Sequence, residues 1–227
     1  MLKVLLASDL PAELLAAPRG SIKNASELAK ASSVSLPSAA RLLVKLEAEG
    51  HLQRGRSSLV LVRREALLKR WQRAVSSQEP RRELAVAWVI PRRDPEVQLK
   101  AALSAHARKQ PAGNARSCLG LFSALNHLGQ GFVRGAPAHL YLDRIALPVL
   151  DALGLRPAEL GEPASLVARE PRAREAVFRA AVLRDGVPAA DVIQCWLELA
   201  EHPARGGEQA ERVFQTVIGP SLLGKGA

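Results

Sequence analysis

The chain has 227 residues, of which 48% are hydrophobic and 24% are charged, so it can bury a core and wholesale disorder is excluded. Its apolar runs are far shorter than the roughly 20 residues that cross a bilayer, and its first apolar stretch is too brief for the core of a signal peptide. We therefore expect a cytoplasmic protein without a membrane segment.

The positive charge of the chain lies in one half. The sequence has 32 Lys and Arg against 22 Asp and Glu, a formal net charge of +10. Residues 1–110 carry 20 basic and 10 acidic side chains, whereas residues 111–227 carry 12 of each. A localised positive field attracts a polyanion such as DNA, although a solvated basic surface has the same composition.

Two short helices are predicted near the start of the chain. The first spans residues 26–31 and is capped by Asn24 or Ser26, and the second begins after Ser35 and ends at Gly50. Four apolar side chains of the second helix follow the spacing of one face and are expected to point into the core: Ala39, Leu42, Leu43 and Leu46.

A basic hairpin is predicted directly after the second helix. Residues 51–54 and 59–63 are strand-like runs on either side of a Gly-Arg-Ser-Ser turn. Two helices, a tight turn and a hairpin predict a winged helix-turn-helix, in which the second helix enters the major groove of DNA. Residues 20–63, with SELA at 26–29 and LEAEGHL at 46–52, resemble these domains of bacterial regulators. A helical hairpin used for packing or dimerisation is the alternative.

Six residues of this unit are the predicted DNA contacts: Ser35, Ser38, Arg41, Lys45, Arg54 and Arg56. The basic residues of the second helix would reach base edges or phosphates, and the serines would bind phosphates through a hydroxyl or the helix N-terminus. The two hairpin arginines would contact the flanking minor groove or the backbone. Which of the six reads bases is left open.

A polar segment at residues 76–82 contains Pro80 and marks a predicted domain boundary. A basic amphipathic helix over residues 64–77 precedes it. We therefore divide the chain into a DNA-binding domain of residues 1–80 and a second domain of residues 83–227.

The second domain is predicted to mix strands and helices. The strands are predicted at 84–90, 132–133, 139–142 and 165–168, and the helices at 95–109, 117–128, 145–153, 189–201 and 208–218. This order indicates an α+β fold, with α/β as the alternative, and we prefer α+β because few of the strands are long.

Three segments of the second domain carry a more distinctive pattern. Residues 186–199 read GVPAADVIQCWLEL, residues 205–211 read RGGEQAE, and residues 122–142 contain a Gly-rich turn followed by APAHLY. Together with the N-terminal unit they resemble the AbiEi-type antitoxins of type IV toxin–antitoxin systems, and the resemblance covers most of the chain.

The resemblance implies an autorepressing antitoxin. Its first domain would bind inverted repeats in its own promoter, and its second domain would oppose a nucleotidyltransferase-like toxin without requiring a stable complex. A homodimer is compatible with such an operator, and the oligomeric state is left open. The alternative is a ligand-sensing repressor with no toxin partner, whose second domain would hold an apolar pocket.

Enzyme motifs are missing from the sequence. It contains no phosphate-binding P-loop, no Gly-x-Ser-x-Gly elbow and no His-Glu-x-x-His pair, and no spacing supports Asp143 with Glu170 or Asp185 as a nuclease cluster. The histidines lack metal-ligand spacing, and Cys118 and Cys195 are expected to be buried thiols. We therefore expect a protein that is not an enzyme and that uses no metal or cofactor.

Overall fold

A computed structural model describes residues 1–55, 58–109 and 116–224 of the chain. The N-terminal part contains the helices α1 (Leu2–Leu6), α2 (Ala25–Ser32), α3 (Leu36–Ala48) and α4 (Arg64–Ser76), and the strands β1 (Leu52–Arg54) and β2 (Leu59–Leu61). The remaining strands are β3 (Arg82–Trp88), β4 (Ser117–Gly120), β5 (His139–Leu142), β6 (Leu155–Pro157), β7 (Leu166–Glu170), β8 (Val182–Arg184) and β9 (Val187–Ala189). The remaining α-helices are α5 (Pro95–Arg108), α6 (Leu121–His127), α7 (Leu147–Ala152), α8 (Arg174–Ala180), α9 (Val192–Leu199), α10 (Gly206–Val213) and α11 (Gly219–Leu222), and a π-helical turn, Phe214–Ile218, joins α10 to α11. Within the described ranges, no helix is long and apolar enough to cross a membrane.

Strands β3 to β9 form one mixed sheet in the order β6-β3-β7-β5-β4-β9-β8. Its pairs are antiparallel except for β5 with β7 and β4 with β9, which are parallel. Every residue of β4 and β5 is buried, so the centre of the sheet is covered on both faces. The predicted α+β class is therefore confirmed as a mixed fold with a mixed sheet.

Two sequence predictions in the second part of the chain are wrong. Residues 117–128 do not form one helix, because the first four pair with β5 as strand β4 and α6 starts only at Leu121. Residues 132–133 do not form a strand, because the amides of Phe132 and Val133 donate to Gln209 Oε1 at 2.7 and 3.0 Å. The side chain of Gln209 in α10 thus accepts the backbone hydrogen bonds that a neighbouring strand would otherwise accept.

The predicted helix at 189–201 starts later, at Val192. Asp191 caps it, since Asp191 Oδ1 accepts a hydrogen bond from Gln194 N at 3.0 Å, and the residues before this cap form β9. Trp196 of this helix is buried and stacks on Phe214 with ring centroids 5.8 Å apart, so it belongs to the core.

A buried polar contact joins the N-terminal helix to the second part of the chain. Lys3 Nζ in α1 donates to Asp191 Oδ2 at 2.7 Å and to Gln194 Oε1 at 2.8 Å. Helix α4 also packs against α9, and the apolar side chains on both sides of the predicted boundary form one cluster. We therefore expect neither residues 1–80 nor residues 83–227 alone to keep the stability of the whole chain.

His139 is a buried titratable group in the centre of the sheet. Its side chain is 2% exposed, and its Nδ1–H donates to the carbonyl of Pro137 at 2.8 Å. The rings of Phe122 and His202 lie against it, with centroids 6.3 and 5.1 Å away. Burial lowers the pKa of His139 from 6.5 to about 4, so the imidazole is neutral in the folded protein.

The free energy of unfolding should fall as the pH is lowered from 6.5 to 4, because the unfolded chain binds a proton that buried His139 does not bind. The difference between the folded and unfolded pKa of His139 corresponds to about 3 kcal/mol of unfolding free energy. This free energy is fully retained above about pH 7 and is lost as the pH falls towards 4. Urea unfolding at a series of pH values measures it. The variant His139→Gln has no such group and should show a shallower pH dependence; equal slopes would contradict a neutral, buried His139.

Candidate nucleic-acid interface

Helices α2 and α3 are joined by a tight turn that local hydrogen bonds fix. Asn24 Oδ1 accepts from Glu27 N at 2.9 Å and so caps the start of α2, one of the two caps that the sequence allowed. Ser33 adopts a left-handed conformation with φ 48°, and Val34 N donates back to Ala29 O at 3.0 Å. The chain therefore reverses within a few residues and places α3 directly after α2.

Ser35 caps α3 as predicted. Its Oγ accepts from Ser38 N at 3.4 Å and lies 2.9 Å from Ser38 Oγ. Both hydroxyls are thus already engaged in the cap, and a phosphate would have to share them. Gly50, with φ 70°, ends the helix region in a conformation that disfavours a side chain.

The two faces of α3 differ sharply in burial. Ala39, Leu43 and Leu46 are buried and Leu42 is partly buried against the core, which confirms the predicted inner face. Arg41 and Lys45 are exposed on the outward side, as is Val44 with 61% of its surface accessible.

Arg41 and Lys45 stand four residues apart and have no carboxylate partner within ion-pair distance among the described residues. Like charges at this spacing destabilise a helix by a few tenths of a kcal/mol. An external anion would remove this repulsion. The sequence analysis predicted Arg41 and Lys45 as DNA contacts but did not predict Val44. Val44 could have been found because it is an apolar residue that does not belong to the buried face of α3.

Arg54 is held by a carboxylate of the same unit. Its Nε donates to Glu47 Oε1 at 2.6 Å and its Nη2 to Glu47 Oε2 at 3.0 Å, which ties β1 to α3. The pair lowers the pKa of the Glu47 carboxyl and raises the pKa of Arg54. The positive charge of Arg54 is therefore balanced by the Glu47 carboxylate. Arg56, the other predicted hairpin contact, lies outside the described residues.

The hairpin itself has the predicted antiparallel pairing, with Leu52 opposite Leu61 and Arg54 opposite Leu59. The basic residues of α4 that follow it are mostly paired within the unit. Arg64 reaches Asp9 at 3.0 Å, Lys69 reaches Glu65 at 2.5 Å, and Arg70 reaches Glu49 at 2.6 Å. Arg41 and Lys45 of α3 are thus unpaired, whereas on α4 only Arg73 stands outside the ion pairs of the described residues.

A cleft of about 550 Å³ lies beside the turn between α2 and α3. It is lined by residues 31–34 at the end of α2 and in the turn, by Trp71 and Val75 of α4, and by residues of the segment 171–180. The cleft thus lies between the N-terminal helices and the second part of the chain.

The carboxylates considered in the sequence as a nuclease cluster are engaged separately. Asp143 lies 3.5 Å from Arg116 and 3.7 Å from Arg174, and Glu170 accepts from Ile145 N at 2.6 Å. Asp185 is largely exposed beside Arg184. In the ranges that the structure covers, no group of three or more His, Cys, Asp or Glu could hold a metal ion.

Comparison with protein-family models, with curated proteins and with solved structures finds no match for this chain. The resemblance to AbiEi-type antitoxins therefore stays a prediction.

Proposed function

We propose that this protein is a sequence-specific, double-stranded DNA-binding transcriptional regulator that uses a winged helix-turn-helix. The observation that carries the proposal is the outward face of α3, where Arg41, Val44 and Lys45 are exposed and the two cations lack a carboxylate partner in the described part of the chain. A capped helix with basic side chains, preceded by a tight turn and followed by a hairpin, suits insertion into the major groove.

The unpaired cations of α3 support this proposal electrostatically. Counterion release from DNA phosphates favours any protein that presents unpaired Lys and Arg, and on α4 three of these side chains are already paired. The cations of α3 are exposed and have no carboxylate partner in the described part of the chain, so they are available to an external polyanion. If the operator is an inverted repeat, a homodimer would place two copies of α3 about 34 Å apart.

Val44 should contact the methyl group of a thymine if α3 lies in the major groove. Replacing thymine by deoxyuridine in a bound duplex removes that methyl and should weaken binding by about 1 kcal/mol at the contacted position. The variant Val44→Ser should lose this sensitivity, because its side chain no longer offers an apolar surface. Fluorescence anisotropy with the two duplexes measures the difference.

The matched control is Val97→Ser on α5, which removes an equally exposed valine away from α3. It should retain the full response to deoxyuridine. A Val44→Ser variant that responds to deoxyuridine as strongly as the unaltered protein at every position would place Val44 outside the groove.

Alanine at Arg56 should flatten the plot of log affinity against log salt by about 0.9, the value for one phosphate contact. Alanine at Arg54 alone should change the slope much less, because Glu47 already neutralises this guanidinium. Titrations at several salt concentrations test both variants. An unchanged slope for Arg56→Ala would show that Arg56 of the hairpin does not contact a phosphate. A change of about 0.9 for Arg54→Ala would show that the ion pair with Glu47 opens when the protein binds DNA.

We further propose that the regulator is the autorepressing antitoxin of a type IV toxin–antitoxin system, which opposes a nucleotidyltransferase-like toxin. This role is supported only by the resemblance of residues 122–142, 186–199 and 205–211, together with the N-terminal unit, to AbiEi-type antitoxins. Co-expression of the full chain with the product of a neighbouring nucleotidyltransferase-like gene should relieve growth arrest. The variant with alanine at Arg41 and Lys45 should relieve it equally, since neutralisation would belong to the second part of the chain.

A ligand-sensing repressor without a toxin partner is the second candidate function. The cleft beside the turn between α2 and α3 favours it, because its volume is that of a small-molecule site. Failure of the full chain to relieve growth arrest, together with retained DNA binding, would select this second candidate.

A further inference from the structure

The cleft beside the helix-turn-helix combines an apolar wall with unpaired positive charge. Trp71 and Val75 of α4 are half-buried and supply the apolar wall. Arg81, Arg172 and Arg179 also line it, and none of the three has a carboxylate partner in the portion of the chain that the structure describes.

The carboxylates of the cleft do not balance these arginines. Glu175 is bound to Arg116 at 3.1 Å, and Glu198 accepts from Tyr141 OH at 2.6 Å and from Gln194. Glu79 is the remaining lining carboxylate, and its backbone carbonyl accepts from Arg172 Nε at 2.6 Å. The cleft therefore has a net positive lining, which favours an anion.

Arg179 connects the cleft directly to the DNA-binding unit. Its Nη1 donates to Ser32 O at 2.7 Å and its Nη2 to Ala31 O at 3.3 Å. These carbonyls belong to the last turn of α2, where no partner exists within the helix and a cation is favoured. The guanidinium thus holds the end of α2 that leads into α3.

A hydroxyl at the same end of α2 lacks a hydrogen-bond partner among the described residues. Ser32 lines the cleft, and its Oγ is buried without a hydrogen-bond partner among the described residues. Buried hydroxyls are normally bonded, so the Ser32 hydroxyl is an unsatisfied polar group beside the cleft.

We propose that the cleft binds a small amphipathic organic anion and that this binding lowers the affinity of the protein for its operator. The anionic group would lie at Arg179, Arg81 and Arg172, and the apolar body would lie against Trp71 and Val75. An anion on Arg179 takes hydrogen-bond donors from the carbonyls of α2, so the end of α2 is held less firmly and α3 is less well positioned for the groove. The regulatory step rests on the proposed DNA-binding function, whereas the binding step does not.

The probe for the binding step is 1-anilinonaphthalene-8-sulfonate, an apolar body with one sulfonate. Its fluorescence should rise in a saturable titration with one site per chain. N-phenyl-1-naphthylamine, which has the same body without the sulfonate, should bind at least about tenfold more weakly, the loss of one charge-assisted hydrogen bond. Equal affinity for the two dyes would overturn the proposed anion site.

The variants Arg179→Met and Arg81→Met locate the site. Each should weaken sulfonate binding about tenfold while leaving binding of the neutral dye unchanged. The matched control is Arg134→Met, an exposed arginine outside the cleft, which should bind both dyes as the unaltered protein does. Sulfonate affinity that is unchanged in both cleft variants would place the dye elsewhere and overturn the assignment.

The regulatory step is tested with a duplex that the full chain binds. Saturating sulfonate should lower duplex affinity at least about fivefold, and the duplex should lower sulfonate affinity by the same factor, because coupling between two sites is reciprocal. In Arg81→Met, duplex affinity without dye should be unchanged, and the response to dye should require a higher concentration. Duplex affinity that saturating dye does not alter would overturn the regulatory step.

Two further results separate this inference from the proposed function. If the protein binds no duplex, the proposed function fails while the dye titrations still decide the binding step. If Arg81→Met loses duplex affinity in the absence of dye, the arginines of the cleft are DNA contacts, and the effector site is contradicted.

Discussion

Alanine at both Arg41 and Lys45 should weaken operator binding by about 2 to 6 kcal/mol, since each side chain that reads a base contributes about 1 to 3 kcal/mol. Both residues are exposed and lie opposite the buried face of α3, so their truncation opens no cavity. Circular dichroism and thermal unfolding should be unchanged. Fluorescence anisotropy with the bound duplex measures the loss.

The matched control for this variant is Arg108→Ala at the end of α5, where an exposed arginine is removed from a different helix. It lowers the overall charge without touching α3 and should cost less than about 0.5 kcal/mol of binding at physiological salt, because distant exposed charges are screened. If Arg108→Ala weakened binding as much as alanine at Arg41 or Lys45, the effect would be one of net charge, and α3 would not be the contact.

Lys3→Met should lower the free energy of unfolding by about 3 to 5 kcal/mol, the cost of leaving one charge of a buried pair without its partner. The side chain of Lys3 is 8% exposed and that of Asp191 is fully buried, so water cannot replace the lost ammonium. Urea unfolding of the full chain at pH 7 measures this change.

The comparison variant is Lys69→Met, which breaks the exposed pair with Glu65. Its loss should lie between about 0 and 1 kcal/mol, the usual contribution of a surface ion pair. A loss below 1 kcal/mol for Lys3→Met would mean that Asp191 and Gln194 find other partners, and that α1 is not anchored through this contact.

Local signals in the sequence predicted α2 and α3 well, whereas α1 was not predicted. The caps Asn24 and Ser35, the stop at Gly50 and the apolar spacing of Ala39 to Leu46 act over a few residues, so they can be recognised without the rest of the fold. The exposure of Arg41 and Lys45 follows from the same spacing.

Features that depend on distant residues could not be predicted in this way. Strand β4 forms because residues 117–120 pair with β5, although the segment continues into a helix with compatible periodicity. Residues 132–133 are held by a glutamine 76 or more positions further along. Such contacts leave no local signature, since tertiary pairing overrides propensity.

The same limit applies to the candidate sites. The pair between Arg54 and Glu47 closes only when the hairpin folds back on α3, and it changes the expected role of Arg54. The cleft is built from the turn at residues 31–34 and the segment at residues 171–180, which are far apart in the chain. Composition reveals excess charge but not which charges are already paired.

Selection of duplexes from a pool of random sequence is the most direct test of DNA recognition through α3. The full chain should enrich a common sequence motif after several rounds, whereas the variant with alanine at Arg41 and Lys45 should enrich none above background. Failure of the full chain to enrich any motif, or enrichment of the same motif by the variant, would contradict sequence-specific binding by this helix.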